Sequence, residues 1–154
     1  MNKGDLVPNF SAPDQSGTVR DLSSFLHDGP VVLFFYPAAL TKGCTMESCH
    51  FRDLKAEFEA LGAQRLGISM DTVAKQAAFA DTHHLDYPLL SDSDGAIAKT
   101  FGVKRALNLL RTKRSTFVIN TDSRVVAVIN SELSMNRHAD DALAALRDLQ
   151  SSSS

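Results

Sequence analysis

The sequence lacks the features that mark several large classes of protein. Its 154 residues carry a formal net charge of −2 with basic and acidic side chains interspersed, so we expect neither a nucleic acid nor an anionic membrane surface as a partner. The longest apolar run, residues 31–36, is far too short to span a bilayer. Residues 1–5 contain no apolar stretch of the kind that a signal peptide requires. These absences favour a soluble, cytoplasmic protein.

Cysteine is also scarce, because the chain has only two, Cys44 and Cys49. A permanent disulfide is uncommon in a reducing cytosol. Two cysteines placed this close together therefore indicate transient redox chemistry, a metal site or a coincidence. The pattern of the surrounding residues has to decide between these three interpretations.

The hydrophobic pattern predicts one α/β domain over residues 1–150, followed by a disordered serine tail at 151–154. The predicted strands are residues 10–12 and 18–20 (an amino-terminal hairpin), 31–36, 66–70, 114–120 and 124–130. The predicted helices are residues 43–61, a helix capped by Asp71 that runs to residue 84, and residues 95–101 and 139–150. This order predicts a mixed sheet flanked by helices.

The segment 104–113 is the least regular part of the predicted domain. It places Leu107, Leu109 and Leu110 among four basic residues. We interpret it as a loop that packs on the core, with a pocket wall or a subunit contact as the alternatives.

Both cysteines fall in the predicted helix that starts at residue 43. Five helical residues turn the chain through about 500°, so the two thiols point about 140° apart and cannot bond unless the first turns unwind. Cys44 lies in the first turn, where unpaired N–H groups and the helix dipole favour a thiolate. Cys49 lies further in and gains little. The nucleophile would therefore be Cys44, although two buried cysteines that serve only as small hydrophobic side chains are the simpler alternative.

The residues around Cys44 resemble a known family. Pro37, Thr41 and Cys44 reproduce the Pro-x-x-x-Thr-x-x-Cys signature of peroxiredoxins. Further matches to the peroxiredoxin Q (bacterioferritin comigratory protein) subgroup are Cys44-Thr45-x-Glu47, Phe51-Arg52-Asp53, Gly4-Asp5-x-x-Pro8-x-Phe10, Leu89-Leu90-Ser91-Asp92 and Arg114-Ser115-Thr116-Phe117-Val118-Ile119. The resemblance covers most of the chain. It implies a thioredoxin-like three-layer sandwich and a thiol-dependent peroxidase.

The resemblance also implies a role for each matched residue. Cys44 would attack the hydroperoxide and become a sulfenic acid, and Cys49 would resolve it as an intramolecular disulfide. The Thr41 hydroxyl, the Cys44 N–H and Arg114 would bind the peroxide oxygens, and Arg114 would also stabilise the thiolate. Pro37 would shield the site from water, and Glu47 would orient Arg114. No cofactor or metal is expected.

The resemblance further implies the partners of the reaction. The substrate would be hydrogen peroxide or an organic hydroperoxide, and thioredoxin or a similar dithiol protein would reduce the disulfide. We expect a monomer or at most a weak dimer.

Each of these roles has a simpler alternative. Thr41 could be only a helix cap, Arg114 a solvated charge, and Glu47 a carboxylate favoured by the helix dipole.

Two other functions compete with the peroxidase. A thioredoxin-class thiol–disulfide oxidoreductase would share the fold but would need a Cys-x-x-Cys motif, which is absent from the sequence. A metal-binding module could use Cys44, Cys49 and His50 with His83 or His84, but the cysteine spacing is not that of the usual zinc sites.

Overall fold

The computed structural model describes residues 1–104 and 112–152. Leu107, Leu109 and Leu110 of the predicted loop lie outside the described residues, as do Ser153 and Ser154. The elements, in chain order, are β1 (Ser11–Pro13), β2 (Val19–Asp21), α1 (Leu22–Asp28), β3 (Val31–Phe35), α2 (Lys42–Asp53), α3 (Lys55–Ala60), β4 (Gln64–Ser69), α4 (Val73–His83), β5 (Leu89–Ser91), α5 (Ala96–Phe101), β6 (Ser115–Ile119), β7 (Val125–Asn130) and α6 (Asn136–Ser152).

The central sheet has the strand order β5-β4-β3-β6-β7, and β1 and β2 form a separate hairpin. Strands β3, β4 and β5 run parallel to one another, whereas β6 is antiparallel to both β3 and β7. The sheet is therefore mixed, as predicted. Because β3 is parallel to β4, the residues that follow these two strands meet at the same edge of the sheet.

Strand β3 is buried along its whole length because both faces of the sheet are covered. Val32 and Phe34 belong to one core cluster, with residues of α2, α4 and α6. Val31, Leu33 and Phe35 belong to the other, with residues of α1 and α5. Because alternate residues of β3 face the two core clusters, every position of the strand is apolar. It also places helices on both faces, which gives the three layers.

The helix predicted over residues 43–61 is divided in two at Leu54, whose ψ of 20° lies outside the helical range. Arg65, a buried residue of β4, bonds to the chain next to this break. Its Nη1 donates to the carbonyl oxygens of Phe51 at 3.0 Å and Arg52 at 3.5 Å, near the carboxyl end of α2. A side chain from the sheet thus occupies carbonyl groups that a continuous helix would use, and hydrophobic periodicity alone does not predict this.

Asp71 was wrongly predicted to cap the fourth helix. Thr72 is the N-cap of α4, because its side chain accepts a hydrogen bond from the Lys75 N–H. Asp71 is buried and turns toward the loop after β3 instead.

Other differences concern elements that the pattern did not indicate. Helix α1 and strand β5 were not predicted, and α6 continues to Ser152, two residues into the predicted tail. Within residues 1–104 and 112–152, no helix has both the length and the apolar character that crossing a membrane would require.

Candidate active site

The loop between β3 and α2 is held by polar bonds to the neighbouring strand. The backbone N–H of Ala39 donates to Asp71 Oδ2 at 2.7 Å, and the same oxygen accepts from Ser69 Oγ at 2.7 Å. Leu40 has a φ of 66°, in the left-handed region that non-glycine residues seldom adopt. The loop therefore turns sharply into the helix and is tied to the end of β4.

Cys44 lies in the first turn of α2 and is fully buried. The backbone N–H groups of the first helical turn have no partner within the helix, so they and the dipole make this end of α2 favourable for an anion. Arg114, which immediately precedes β6, places Nη2 3.3 Å from Cys44 Sγ. The sulfur is therefore removed from water and faces a guanidinium.

Arg114 is positioned by carboxylates on two sides. Its Nη1 donates to Glu47 Oε1 at 2.9 Å, and its backbone N–H donates to Glu132 Oε1 at 3.1 Å. Burial alone would lower the pKa of Arg114, but Glu47 and Cys44 outweigh it and raise the pKa. A β-carbon at Gly43 would lie 3.3 Å from Arg114 Nη2, so the missing side chain leaves room for the guanidinium.

Glu47 and His138 form a buried layer behind this arginine. Neither side chain is exposed, and Glu47 Oε2 lies 3.5 Å from His138 Nδ1. Burial raises the pKa of Glu47 to about 8, against the opposing effect of Arg114. The pKa of His138 is lowered, also mainly by burial.

Cys49 is half-buried on the same helix, and both thiols are free. With α2 continuous from Lys42 to Asp53, ideal helix geometry separates the two Cα atoms by roughly 8–9 Å. That is more than a disulfide can span, so a bond between the two sulfurs would require α2 to unwind.

A protein-family model described as the AhpC/TSA family matches residues 3–128 of the chain. The chain belongs to this family of peroxiredoxins. The crystal structure of peroxidoxin BcpB from Mycobacterium tuberculosis is 59% identical, with a TM-score of 0.94 and coverage of 97% of this chain and 98% of that one. Chloroplastic peroxiredoxin Q of Populus jackii is 38% identical over 149 residues, which cover 97% of this chain and 70% of the relative.

A third similar protein is the bacterioferritin comigratory protein of Xanthomonas campestris, whose structure was described for its alkyl peroxide reduction activity. It is 32% identical, with a TM-score of 0.84 and coverage of 91% of each chain. Together these similarities confirm the thioredoxin-like fold, the peroxiredoxin Q resemblance and a thiol-dependent peroxidase. Hydroperoxides and thioredoxin-type reductants are the reaction partners of this family in general. The oxidoreductase alternative is therefore not favoured.

Three of the site residues predicted from the sequence are in direct contact in the structure, namely Cys44, Glu47 and Arg114. Thr41 is the N-cap of α2 by its backbone, yet its side chain makes no capping bond. Its hydroxyl donates to the Ala38 carbonyl at 2.8 Å, so Thr41 can accept from a ligand but would have to break that bond to donate. Pro37 is half-buried just after β3.

The part of the chain that the structure describes contains no cluster that supports the metal-site alternative. Within residues 1–104 and 112–152, there is no group of three or more His, Cys, Asp or Glu side chains arranged to hold an ion. His50, one of the suggested ligands, lies 2.8 Å from Asp140 instead.

Two residues of the site were missed in the sequence. Asp71 was assigned to a helix cap, although its place directly after a strand parallel to β3 was a signal that it could reach the loop after β3. His138 could not be predicted, because nothing in the sequence near residue 138 indicates that α6 places this side chain next to Glu47.

Proposed function

We propose that Cys44 is the peroxidatic cysteine and that it reduces hydrogen peroxide and organic hydroperoxides. The observation that supports this best is the 3.3 Å contact between Arg114 Nη2 and the fully buried Cys44 sulfur. A thiolate, not a thiol, is the nucleophile, and a guanidinium together with a helix amino end stabilises it.

In the first step the Cys44 thiolate attacks the terminal oxygen of ROOH. An S–O bond forms, the O–O bond breaks, and the products are a sulfenic acid and an alkoxide that takes up a proton as ROH. Negative charge therefore grows on the leaving oxygen. Arg114 and the Cys44 N–H supply hydrogen-bond donors where this charge develops, and Thr41 supplies an acceptor for the hydroperoxide O–H. In this proposal Glu47 keeps the guanidinium in place, and Pro37 limits access of water.

In the second step Cys49 acts as the resolving cysteine. Once the amino-terminal turns of α2 unwind, its thiol attacks the Cys44 sulfenic acid, and water and an intramolecular disulfide are formed. A dithiol protein of the thioredoxin type then reduces the disulfide and becomes oxidised itself. Because this step needs a reducing compartment, we propose that the protein is cytoplasmic. We also propose that it works as a monomer.

The test is a titration of the reduced protein with peroxide, followed by mass analysis. Wild type should gain one intramolecular disulfide at one equivalent, Cys44→Ser should remain unoxidised, and Cys49→Ser should stop at the sulfenic acid, trapped with dimedone. With thioredoxin supplied, Cys49→Ser should also lose multiple turnover. Oxidation of Cys44→Ser at the wild-type rate would overturn the assignment of Cys44, and full steady-state activity of Cys49→Ser would overturn the resolving role.

The proposals on location and assembly have their own tests. Cell fractionation should recover the protein with cytoplasmic markers. Sedimentation of the reduced protein should give the mass of one chain, and a stable dimer would contradict the monomer.

A further inference from the structure

His138, the third residue of α6, is fixed by two polar contacts on opposite sides of its ring. Nε2 lies 2.8 Å from the carbonyl oxygen of Ser131, and Nδ1 lies 2.8 Å from Thr116 Oγ1. A carbonyl oxygen only accepts hydrogen bonds, so Nε2 must carry a proton. Within the ring, only Nδ1 can therefore gain or lose a proton.

A buried carboxylate oxygen of Glu47 lies near Nδ1. Glu47 Oε2 lies 3.5 Å away, and among the described residues it has no hydrogen-bond partner. If neither group held the extra proton, Nδ1 would accept from the Thr116 hydroxyl, and Oε2 would be a buried anionic oxygen without a donor, which is costly. A proton on Oε2 neutralises that oxygen, and a proton on Nδ1 places a cation beside it, so either position removes the cost.

A count of charges leads to the same result. The Cys44 thiolate and Arg114 cancel, so the buried site is neutral if Glu47 and His138 together hold one extra proton, and carries −1 if they hold none. The other charged groups that act on the pair are Glu132, beyond β7, and Arg137 of α6. Both are exposed, and Arg137 is paired with Asp141 at 3.2 Å, so their effects are screened.

We propose that Glu47 and His138 share one proton whose presence follows the charge on Cys44: the pair holds the proton while the sulfur is a thiolate and releases it when the sulfur becomes a neutral sulfenic acid. His138 is thus a positioning residue that acts through Glu47 and Arg114. The released proton balances the one that the alkoxide takes up to form ROH, so the first step exchanges no net proton with solvent. The inference rests on the proposed role of Cys44. Burial raises the pKa of Glu47, which agrees with a proton held by this pair.

The first experiment measures the iodoacetamide alkylation rate of Cys44 against pH in a Cys49→Ser background. His138→Asn removes one of the two groups that can hold the proton and replaces it with an amide, which can donate to Oε2 and so favours the ionised carboxylate. The midpoint of this profile should therefore move up by about one pH unit, a tenfold loss of thiolate below the midpoint. Adding Glu47→Gln should bring the midpoint back, because the amide carries no charge yet its oxygen still accepts from Arg114. A purely structural role for His138 predicts no such rescue, and an unchanged midpoint in His138→Asn would overturn the proposal.

A second experiment does not depend on the folding of the His138 variant. An indicator dye in weak buffer follows proton uptake while peroxide oxidises Cys44 in Cys49→Ser and in Cys49→Ser/Glu47→Gln. We expect close to no uptake in the first protein and about one proton per sulfenic acid in the second. Equal uptake in both would overturn the inference while leaving the peroxidase intact. If no sulfenic acid forms in either protein, the proposed function itself has failed.

Discussion

The two ends of α2 are held in different ways. At its amino end, Cys44 and Glu47 contact ionisable groups, Arg114 and His138, whose charges and protons take part in the proposed chemistry. At its carboxyl end, the contacts join the helix to β3, β4 and the segment before β5. In the proposed cycle the first part of the helix changes during turnover, and the second part keeps it attached to the sheet.

The contacts at the carboxyl end include two hydrogen bonds and an aromatic stack. Tyr87 donates to the Ser48 carbonyl at 2.7 Å, and Arg65 donates to the Phe51 carbonyl at 3.0 Å. The Phe51 ring stacks on Phe34 with 4.1 Å between centroids. Burial raises the pKa of Tyr87 well above its ordinary value, so this hydroxyl remains a donor. Unwinding that starts at the amino end would therefore meet its first fixed point at Ser48, next to Cys49.

The largest effect is expected at the amino end of α2. Arg114→Met removes the only charge that contacts Cys44 among the described residues, and we expect kcat/KM for peroxide to fall by about 10³-fold, or roughly 4 kcal/mol of transition-state stabilisation. Stopped-flow oxidation of the reduced protein gives the rate. The matched control is Arg137→Met, an exposed arginine paired with Asp141, which should retain wild-type activity. A loss below tenfold in Arg114→Met would contradict the role of this end.

At the carboxyl end, Phe51→Ala should lower the free energy of unfolding by about 3–5 kcal/mol, because it removes a fully buried ring from the core. Urea denaturation measures the change. Met46, on the same helix but 51% exposed, provides the control, since Met46→Ala should cost about 0.5 kcal/mol or less. Similar losses in the two variants would mean that this end is not the anchored one.

Tyr87→Phe tests whether the Ser48 bond limits unwinding. The change removes the side-chain donor from a buried carbonyl that keeps its bond within the helix, and it should cost about 1 kcal/mol of stability. If that energy opposes the unwinding of α2, the disulfide should form about fivefold faster or more after oxidation. Rapid quench with mass detection measures this rate. Tyr36→Phe, which loses a buried bond to Gln76 away from α2, should be destabilised without faster resolution.

The smallest effect concerns Asp86, which forms a two-pronged pair with Arg65 at 3.2 and 3.1 Å. Burial alone would raise the pKa of Asp86, but the bonds from Arg65 lower it. A carboxylate with a depressed folded-state pKa adds stability above its unfolded pKa of about 4 and loses it as pH falls through the folded value. Asp86→Asn should therefore cost about 1 kcal/mol or less at neutral pH and nothing in strong acid, as measured by urea unfolding at both pH values. An equal cost at both would contradict the ionic origin.

Most of the residues that meet at the amino end were predictable from the sequence. Pro37, Thr41 and Cys44 form a local motif, and a resemblance over most of the chain added Arg114 and Glu47, although Arg114 is 70 residues away from Cys44. The strand β3 was predictable too, because burial on both faces gives an unbroken apolar run.

The remaining features depend on contacts that no local pattern encodes. Arg65 bonds to the end of α2 from a strand that follows it, and Asp71 bonds to a loop 32 residues earlier instead of capping its own helix. His138 reaches Glu47 only because α6 packs against α2. Each is a buried polar residue whose partner is chosen by the tertiary fold, and hydrophobic periodicity carries no information on such pairs.

The bond between Ala39 and Asp71 has a practical consequence for anyone who would transplant this loop into another scaffold. The conformation of residues 37–41 is stored partly in the neighbouring strand, since Ser69 and Asp71 hold the backbone at Ala39. A graft of residues 37–41 alone would lack the Asp71 carboxylate that bonds to the loop. A graft that also carried the end of β4 and Asp71 would keep that bond.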